Sequence, residues 1–170
     1  MIEAKNLSID YQIGKNWLNV INQIDLSILP LQIHGLVGES GSGKSTLGLG
    51  LMNYLSANAR ISSGEIIFDN ANIVDYSPSQ LRTIWGKSMG LMPQDPLASL
   101  NPTMSIGKQM IESMILHLGL STHEASKQAE DLLYKVKLAD ADRILNRYPH
   151  QLSGGMQQRV MIAMVLRTRP

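Results

Sequence analysis

The chain has 170 residues, 44% hydrophobic and 17% charged, with 15 basic and 14 acidic side chains and no cysteine. That is apolar material for one packed domain, and it argues against disorder, a disulfide scaffold or a thiolate metal site; a formal charge of +1 leaves no electrostatic footprint for nucleic acid. The four histidines, His34, His117, His123 and His150, lack metal-ligand spacing, the start MIEAK is not that of a signal peptide, and no apolar run approaches the roughly 18 residues of a membrane span.

In chain order, IEAKNLSIDYQI alternates loosely at Ile2, Ala4, Leu7, Ile9 and Tyr11, and INQIDLSIL does so at Ile24, Leu26 and Ile28. This predicts two antiparallel strands with one buried face. After a turn at Pro30, IHGLV (33–37) predicts a short strand buried on both faces, running into GESGSGKST and a helix to about Leu55, despite the helix-weakening Gly48 and Gly50. GEIIFDNANI reads as a hairpin turning at Asp69 and Asn70. SPSQ (77–80) is a capping box that opens a short helix ending near Gly86. SMGLM (88–92) predicts a second short buried strand.

From Pro93 onward strand signals give way to helix signals. Ser105 caps a helix to about Leu118, and STHE (121–124) is a capping box opening a helix with Ala125, Ala129, Leu132, Leu133 and Val136 on one stripe. A short helix near Ala139 to Arg147 follows, then YPHQ and a terminal apolar helix. The expected organisation is a β-subdomain with the glycine loop over 1–94, a helical lobe over 95–155, and the start of a return to the core over 156–170.

The chemistry concentrates in three stretches. GESGSGKS fits Gly-x4-Gly-Lys-Ser at Gly38, Gly43, Lys44 and Ser45. Across Gly38, Glu39, Ser40, Gly41, Ser42 and Gly43 the backbone can present successive N–H groups to phosphate, and the helix N-terminus adds about half a positive charge. Lys44 offers a mobile cation for the β and γ phosphates, the Ser45 hydroxyl a ligand for Mg²⁺, and Thr46 a donor for the α phosphate. A dinucleotide fingerprint fails, because its last glycine would fall on Thr46. In LSGGMQQR (152–159), Ser153, Gly154 and Gly155 place a hydroxyl and bare N–H groups at another helix start, a second anion site that suggests a partner's phosphate. Tyr11 could stack on a base or simply pack. Gln94 could ligate Mg²⁺ or hold a water, or be a polar loop residue.

With these residues in view, the sequence resembles the ATP-binding subunits of ATP-binding cassette (ABC) transporters along its whole length. The stretches MPQDPLASLNPTMSIGKQM (92–110) and YPHQLSGGMQQRVMIAM (148–164) resemble the subfamily that energises oligopeptide, dipeptide and nickel importers. The resemblance implies an α/β fold, a P-loop NTPase ABC-type nucleotide-binding domain with an N-terminal antiparallel β-subdomain, a partial RecA-like core and a helical signature lobe. It implies ATP and Mg²⁺ as cofactors. Residues 38–46 would be the Walker A loop, Tyr11 the adenine-stacking aromatic and Gln94 the Q-loop glutamine, with Ser45 and Gln94 at the metal. Ser153, Gly154, Gly155 and Gln157 would form the signature that meets a partner's nucleotide. The implied partners are a second ABC ATP-binding subunit, identical or not, and membrane permease subunits, which would hold the chain at the cytoplasmic face of the membrane.

Two departures from the family pattern stand out. Leu31 and Gln32 occupy the turn where the family often has Gly-Glu. The Walker B carboxylates and switch histidine would lie beyond Pro170, so the expectation is a chain truncated before them, with no catalytic residue of its own and no hydrolysis alone. Two other readings stay open: a non-enzymatic nucleotide- or partner-binding module, and a soluble ABC ATPase without a permease.

Overall fold

The alternating N-terminal run forms β1 (Ile2–Ile13), which turns through Gly14 into β2 (Asn16–Ile28) in the computed structural model, which describes residues 1–95 and 99–168. The expected helical lobe 95–155 therefore includes three residues, and the terminal segment 156–170 two, that lie outside the described residues. β1 is flanked by β2 and by β3 (Ala59–Phe68), and β4 (Ala71–Asn72) completes an antiparallel sheet of order β2-β1-β3-β4. The β3–β4 turn falls on Asp69 and Asn70, with φ of 46° and 68°, the left-handed pair that a two-residue hairpin requires.

The molecule divides into two compact units, Met1–Leu81 and Arg82–Pro170. In the first, Ala4, Leu7, Ile9, Ile21 and Ile66 form the buried face of the sheet, with Ile73 of the 3-10 turn after β4 and Leu47 and Leu51 of α1 (Lys44–Leu51) also buried. A Cβ on Gly50 of α1 would stand 2.3 Å from Ile9 Cδ1, so the helix backbone rests directly on that strand. The helix ends at Leu51 rather than near Leu55. Asn53 turns to φ 48° and the Tyr54 N–H bonds back to the Leu49 carbonyl at 2.9 Å, a left-handed stop that breaks the ladder.

Two expected strands do not form. Residues 33–37 and 88–92 are irregular, and Ile33 and Val37 are 103% and 94% exposed. An apolar run marks a segment suited to a buried strand, but a strand exists only with a hydrogen-bonding neighbour, and among the described residues the only ladders are those of β1 to β4.

The sheet is sharply kinked at one level. The β1–β3 register slips between Lys5 and Ser8, and there Asn6, Gln23 and Gly64 adopt φ of 47°, 49° and 90°. The Asn6 N–H donates to Asp25 Oδ1 at 2.8 Å and the Gln23 N–H to Ser8 Oγ at 3.1 Å, so side chains satisfy groups that the ladder releases. A Cβ at Gly64 would come 2.4 Å from the Asn6 carbonyl oxygen.

Helix α2 (Pro78–Lys87) starts at the predicted capping box: the Ser77 N–H donates to Gln80 Oε1 at 2.9 Å and the Gln80 N–H to Ser77 Oγ at 3.4 Å. The second unit continues with α3 (Ile106–Leu118), α4 (Thr122–Lys135), α5 (Ala141–Leu145) and α6 (Gly154–Leu166). Its core joins Ile106, Met110 and Met114 of α3 to Ala129 and Leu133 of α4 and Val160 of α6, the stripes that helical periodicity assigns to one face. Ser105 accepts from the Lys108 N–H and α3 stops at Gly119, φ 66°. Ser121 and Glu124 close the α4 box from both sides. Helix α5 is shorter than expected, because Asp140 precedes it in the left-handed region at φ 55°.

Opposite outcomes are predicted for two glycine substitutions. Gly64→Ala forces a side chain into the left-handed region against a carbonyl and should cost at least about 2 kcal/mol, whereas exposed Gly48, where a Cβ meets nothing within 4 Å, should gain about 0.5 to 1 kcal/mol as alanine. Urea denaturation of both variants checks the signs. A second prediction concerns acid. Hydrogen bonds from the Ser121 hydroxyl and N–H hold the Glu124 carboxyl below its ordinary range, so the folded-state value is depressed relative to the unfolded one. Its contribution is present above the unfolded value and is lost as pH falls through the folded one; helical circular dichroism followed through an acid titration should lose this dependence in Ser121→Ala.

Candidate functional site

The glycine loop leads into α1 without a side-chain cap. Gly43 occupies the N-cap at φ 89°, its carbonyl accepting from the Leu47 N–H at 2.8 Å but with no side chain to cap the first-turn N–H groups, and Gly41 is also left-handed at φ 83°. Helix N-termini carry orphan N–H donors and partial positive charge; here they open beside an exposed loop. Lys44 folds its ammonium back over that loop, donating to the Gly38 carbonyl at 2.8 Å, to the Glu39 carbonyl, and to Ser42 Oγ at 3.4 Å. A lysine whose donors rest on carbonyls at a solvent-facing loop keeps its charge available to an incoming anion. Ser40 is exposed within the same loop, Ser45 is exposed on the first turn of the helix, and Thr46 beside it is partly buried.

Gly43 also fixes where this cradle sits. A Cβ there would stand 2.9 Å from Ile21 Cδ1 and 3.6 Å from the Val20 carbonyl oxygen, so the loop lies on β2. Two residues back, roughly 7 Å at the rise of a strand, Leu18 pairs with Tyr11 of β1. Strand alternation puts Tyr11 on the face of Ile9, which α1 covers at Gly50. The half-exposed tyrosine and the glycine loop thus share one face of the sheet, with exposed Leu18 between them. The residues fit a nucleoside triphosphate: an uncapped helix start and a cation for the phosphates, an aromatic ring for a base.

In the second unit, Ser153 is the N-cap of α6 and accepts from the Met156 N–H at 3.4 Å. Ser153, Gly154 and Gly155 are exposed, and a Cβ on either glycine would meet nothing within 4 Å. Gln157 differs from its neighbours. It is buried, and its amide nitrogen donates to the carbonyls of Pro149 at 2.9 Å and Leu152 at 3.2 Å, tying the turn before Ser153 to the helix after it. Its burial was readable from spacing: Gln157, Val160 and Met161 recur on the buried side of α6. Arg159 likewise reaches the carbonyls of Val136 at 3.3 Å and Lys137 at 2.9 Å, at the C-terminal end of α4 where a cation is favoured. Gln94 is exposed in the irregular segment after α2. Among the described residues no group of three or more histidine, aspartate or glutamate side chains could hold a metal, and no helix is long and apolar enough to cross a membrane.

Replacing Gln157 by leucine should leave the two carbonyls without their donor and destabilise the helical unit by about 2 kcal/mol, the usual cost of orphaned buried polar groups. Urea unfolding followed by helical circular dichroism measures it; an unchanged midpoint would show that water replaces the amide.

Comparison with known proteins accords with this geometry. The model of the ABC transporter family matches residues 21–170. A provisionally named peptide import ATP-binding protein of Brucella abortus is 39% identical over 171 residues, and the oligopeptide transport ATP-binding protein OppD of Salmonella typhimurium is 36% identical over 170 residues, in each case across 100% of this chain. The chain spans about half the length of these relatives, 51% and 50% respectively. Among solved structures, the dimeric post-hydrolysis state of the ATP-binding cassette MJ0796 bound to ADP and phosphate superposes with a TM-score of 0.85 at 28% identity, covering 100% of this chain and 71% of that one. Glycine loop, capped Ser-Gly-Gly helix, antiparallel sheet and whole-chain likeness converge, and the chain belongs to the ABC transporter family.

Proposed function

We propose that this chain is the nucleotide-binding part of a peptide-type importer, taking up ATP with Mg²⁺ on its first unit and presenting its Ser-Gly-Gly turn to the nucleotide of a second ATP-binding subunit. The observation that carries the reading is the uncapped, lysine-bearing start of α1 beneath a left-handed glycine turn. Its support is the 36–39% identity to relatives named for peptide import and oligopeptide transport.

Each residue has a physical task in this proposal. The N–H groups from Gly38 to Thr46, including those of Glu39, Ser40, Gly41 and Ser42, hold the phosphate oxygens, and Lys44 exchanges loop carbonyls for the outer phosphates. The exposed Ser45 hydroxyl supplies a neutral oxygen ligand to Mg²⁺, a hard cation that suits it. Tyr11 stacks on the base. Ser153, Gly154 and Gly155 donate to the phosphate carried by the partner, and Gln157 keeps their turn in place from below. Bound between two such subunits, the nucleotide supplies the attraction that draws them together, and the permease subunits of the importer sense that closure at the cytoplasmic face of the membrane.

Equilibrium binding of a fluorescent ATP analogue with Mg²⁺ tests the first unit. Lys44→Ala should weaken binding by about a hundredfold, the loss of a charged donor worth about 3 kcal/mol. Binding that survives Lys44→Ala undiminished would overturn the assignment.

A further inference from the structure

Tyr11 lies at the last level where β1 is paired on both sides, opposite Leu18 on β2 and Ala59 on β3. One residue earlier, on the other face, a group of polar side chains crosses all three strands. Asp10 is only 8% exposed. Its Oδ1 accepts from Asn19 Nδ2 of β2 at 2.9 Å, and its Oδ2 from Arg60 Nη2 of β3 at 3.4 Å. The Arg60 guanidinium in turn lies over the ring of Trp17, back on β2, 4.0 Å from its centroid.

A nearly buried carboxylate is a costly way to hold a sheet together, since apolar side chains of similar size would serve stability as well or better. Its distinctive property is direction. Bonds from Asp10 to both neighbouring strands resist sliding and rolling of β1, and Arg60 over Trp17 ties β3 to β2 across β1. The Asn19 bond, with Ser62 and then Arg60 assisting against desolvation, holds the Asp10 carboxyl below its ordinary range, so the charged, bond-accepting form persists. All of this bears on the strand ends whose opposite face carries Tyr11.

We infer that Asp10, Asn19, Arg60 and Trp17 form a positioning clamp that fixes the ring of Tyr11 at the angle needed to stack on the base of a bound nucleotide. The inference rests on the base-stacking role proposed for Tyr11. The clamp residues touch no phosphate-loop side chain in any hydrogen bond or ion pair described here, so their effect should reach the base end of a ligand and spare the phosphate end.

The test is calorimetric titration of the full chain with magnesium ATP and, separately, with magnesium tripolyphosphate, which has the phosphates and no base. Tyr11→Ala should weaken ATP about tenfold, the scale of one lost base stack, and leave tripolyphosphate unchanged. Arg60→Ala should weaken ATP alone by about threefold, as expected for a partly exposed ion pair acting through another residue, and should add nothing on top of Tyr11→Ala. Arg60→Lys should recover part of the loss. Trp17→Leu, which keeps the ion pair and removes only its brace, should show the same ATP-selective weakening to a smaller degree and stands in where Arg60→Ala folds poorly. If Tyr11→Ala is ATP-selective while Arg60→Ala and Trp17→Leu weaken both ligands equally or neither, the clamp is structural and the inference falls. If Tyr11→Ala itself fails to separate the two ligands, the stacking role falls first and takes the clamp with it.

Discussion

The position of Gly43 governs the first unit. It must be left-handed to reverse the loop, small enough to sit against Ile21, and free of a capping side chain so that the first turn of α1 keeps its donors open. A residue with a Cβ would satisfy none of these at once: the left-handed turn would be strained, and the added carbon would stand 2.9 Å from Ile21 Cδ1. Because Gly43 touches β2, the proposed anion cradle is registered to the sheet. Because β2 pairs with β1, the same contact sets the cradle's separation from Tyr11. A local backbone requirement thereby sets the spacing between the glycine loop and the tyrosine.

The two helix starts of the chain solve the problem of orphan N–H groups differently, and the difference matches what each is proposed to meet. Helix α1 is uncapped, its nearest cation is the lysine of its own first turn, and its donors are free for an anion bound by this chain. Helix α6 is capped by Ser153, at a long 3.4 Å. A hydroxyl so loosely engaged satisfies the helix in the isolated chain and can still turn toward a phosphate brought by another subunit, because a hydroxyl both donates and accepts. On this proposal the first site is open to an anion bound by the chain itself, and the second is self-satisfied until a partner arrives.

Much of this was legible in the sequence, and what was missed has physical causes. The antiparallel hairpins, the Asp69-Asn70 turn, the capping boxes at Ser77 and Ser121 and the apolar stripe of α4 follow from rules that act over two to four residues, and they appear as expected. The runs at 33–37 and 88–92 were expected as strands and are irregular, since pairing is a property of two segments and an apolar run describes one. Gln157, expected with Ser-Gly-Gly at a partner's nucleotide, is buried on the side of α6 that its three- and four-residue spacing to Val160 and Met161 indicates. The clamp around Asp10 could not be read at all. Asp10, Asn19 and Arg60 are brought together by β-register, and a bulge that skips Val20 between Asn19 and Ile21 decides that register.

That bulge links the two halves of the first site. Along β2, Asn19 faces Asp10 and Ile21 faces Ile9, so one residue, Val20, is left over and its carbonyl and side chain lie against Gly43. Without the extra residue, alternation would run unbroken and Asn19 and Ile21 would share a face, placing the amide that holds Asp10 on the side that packs under the glycine loop. With it, the strand shows a polar amide to one face and an isoleucine to the other within three residues. The polar clamp behind Tyr11 and the apolar seat beneath Gly43 are therefore products of the same irregularity, and neither could be moved by one residue along β2 without losing the other.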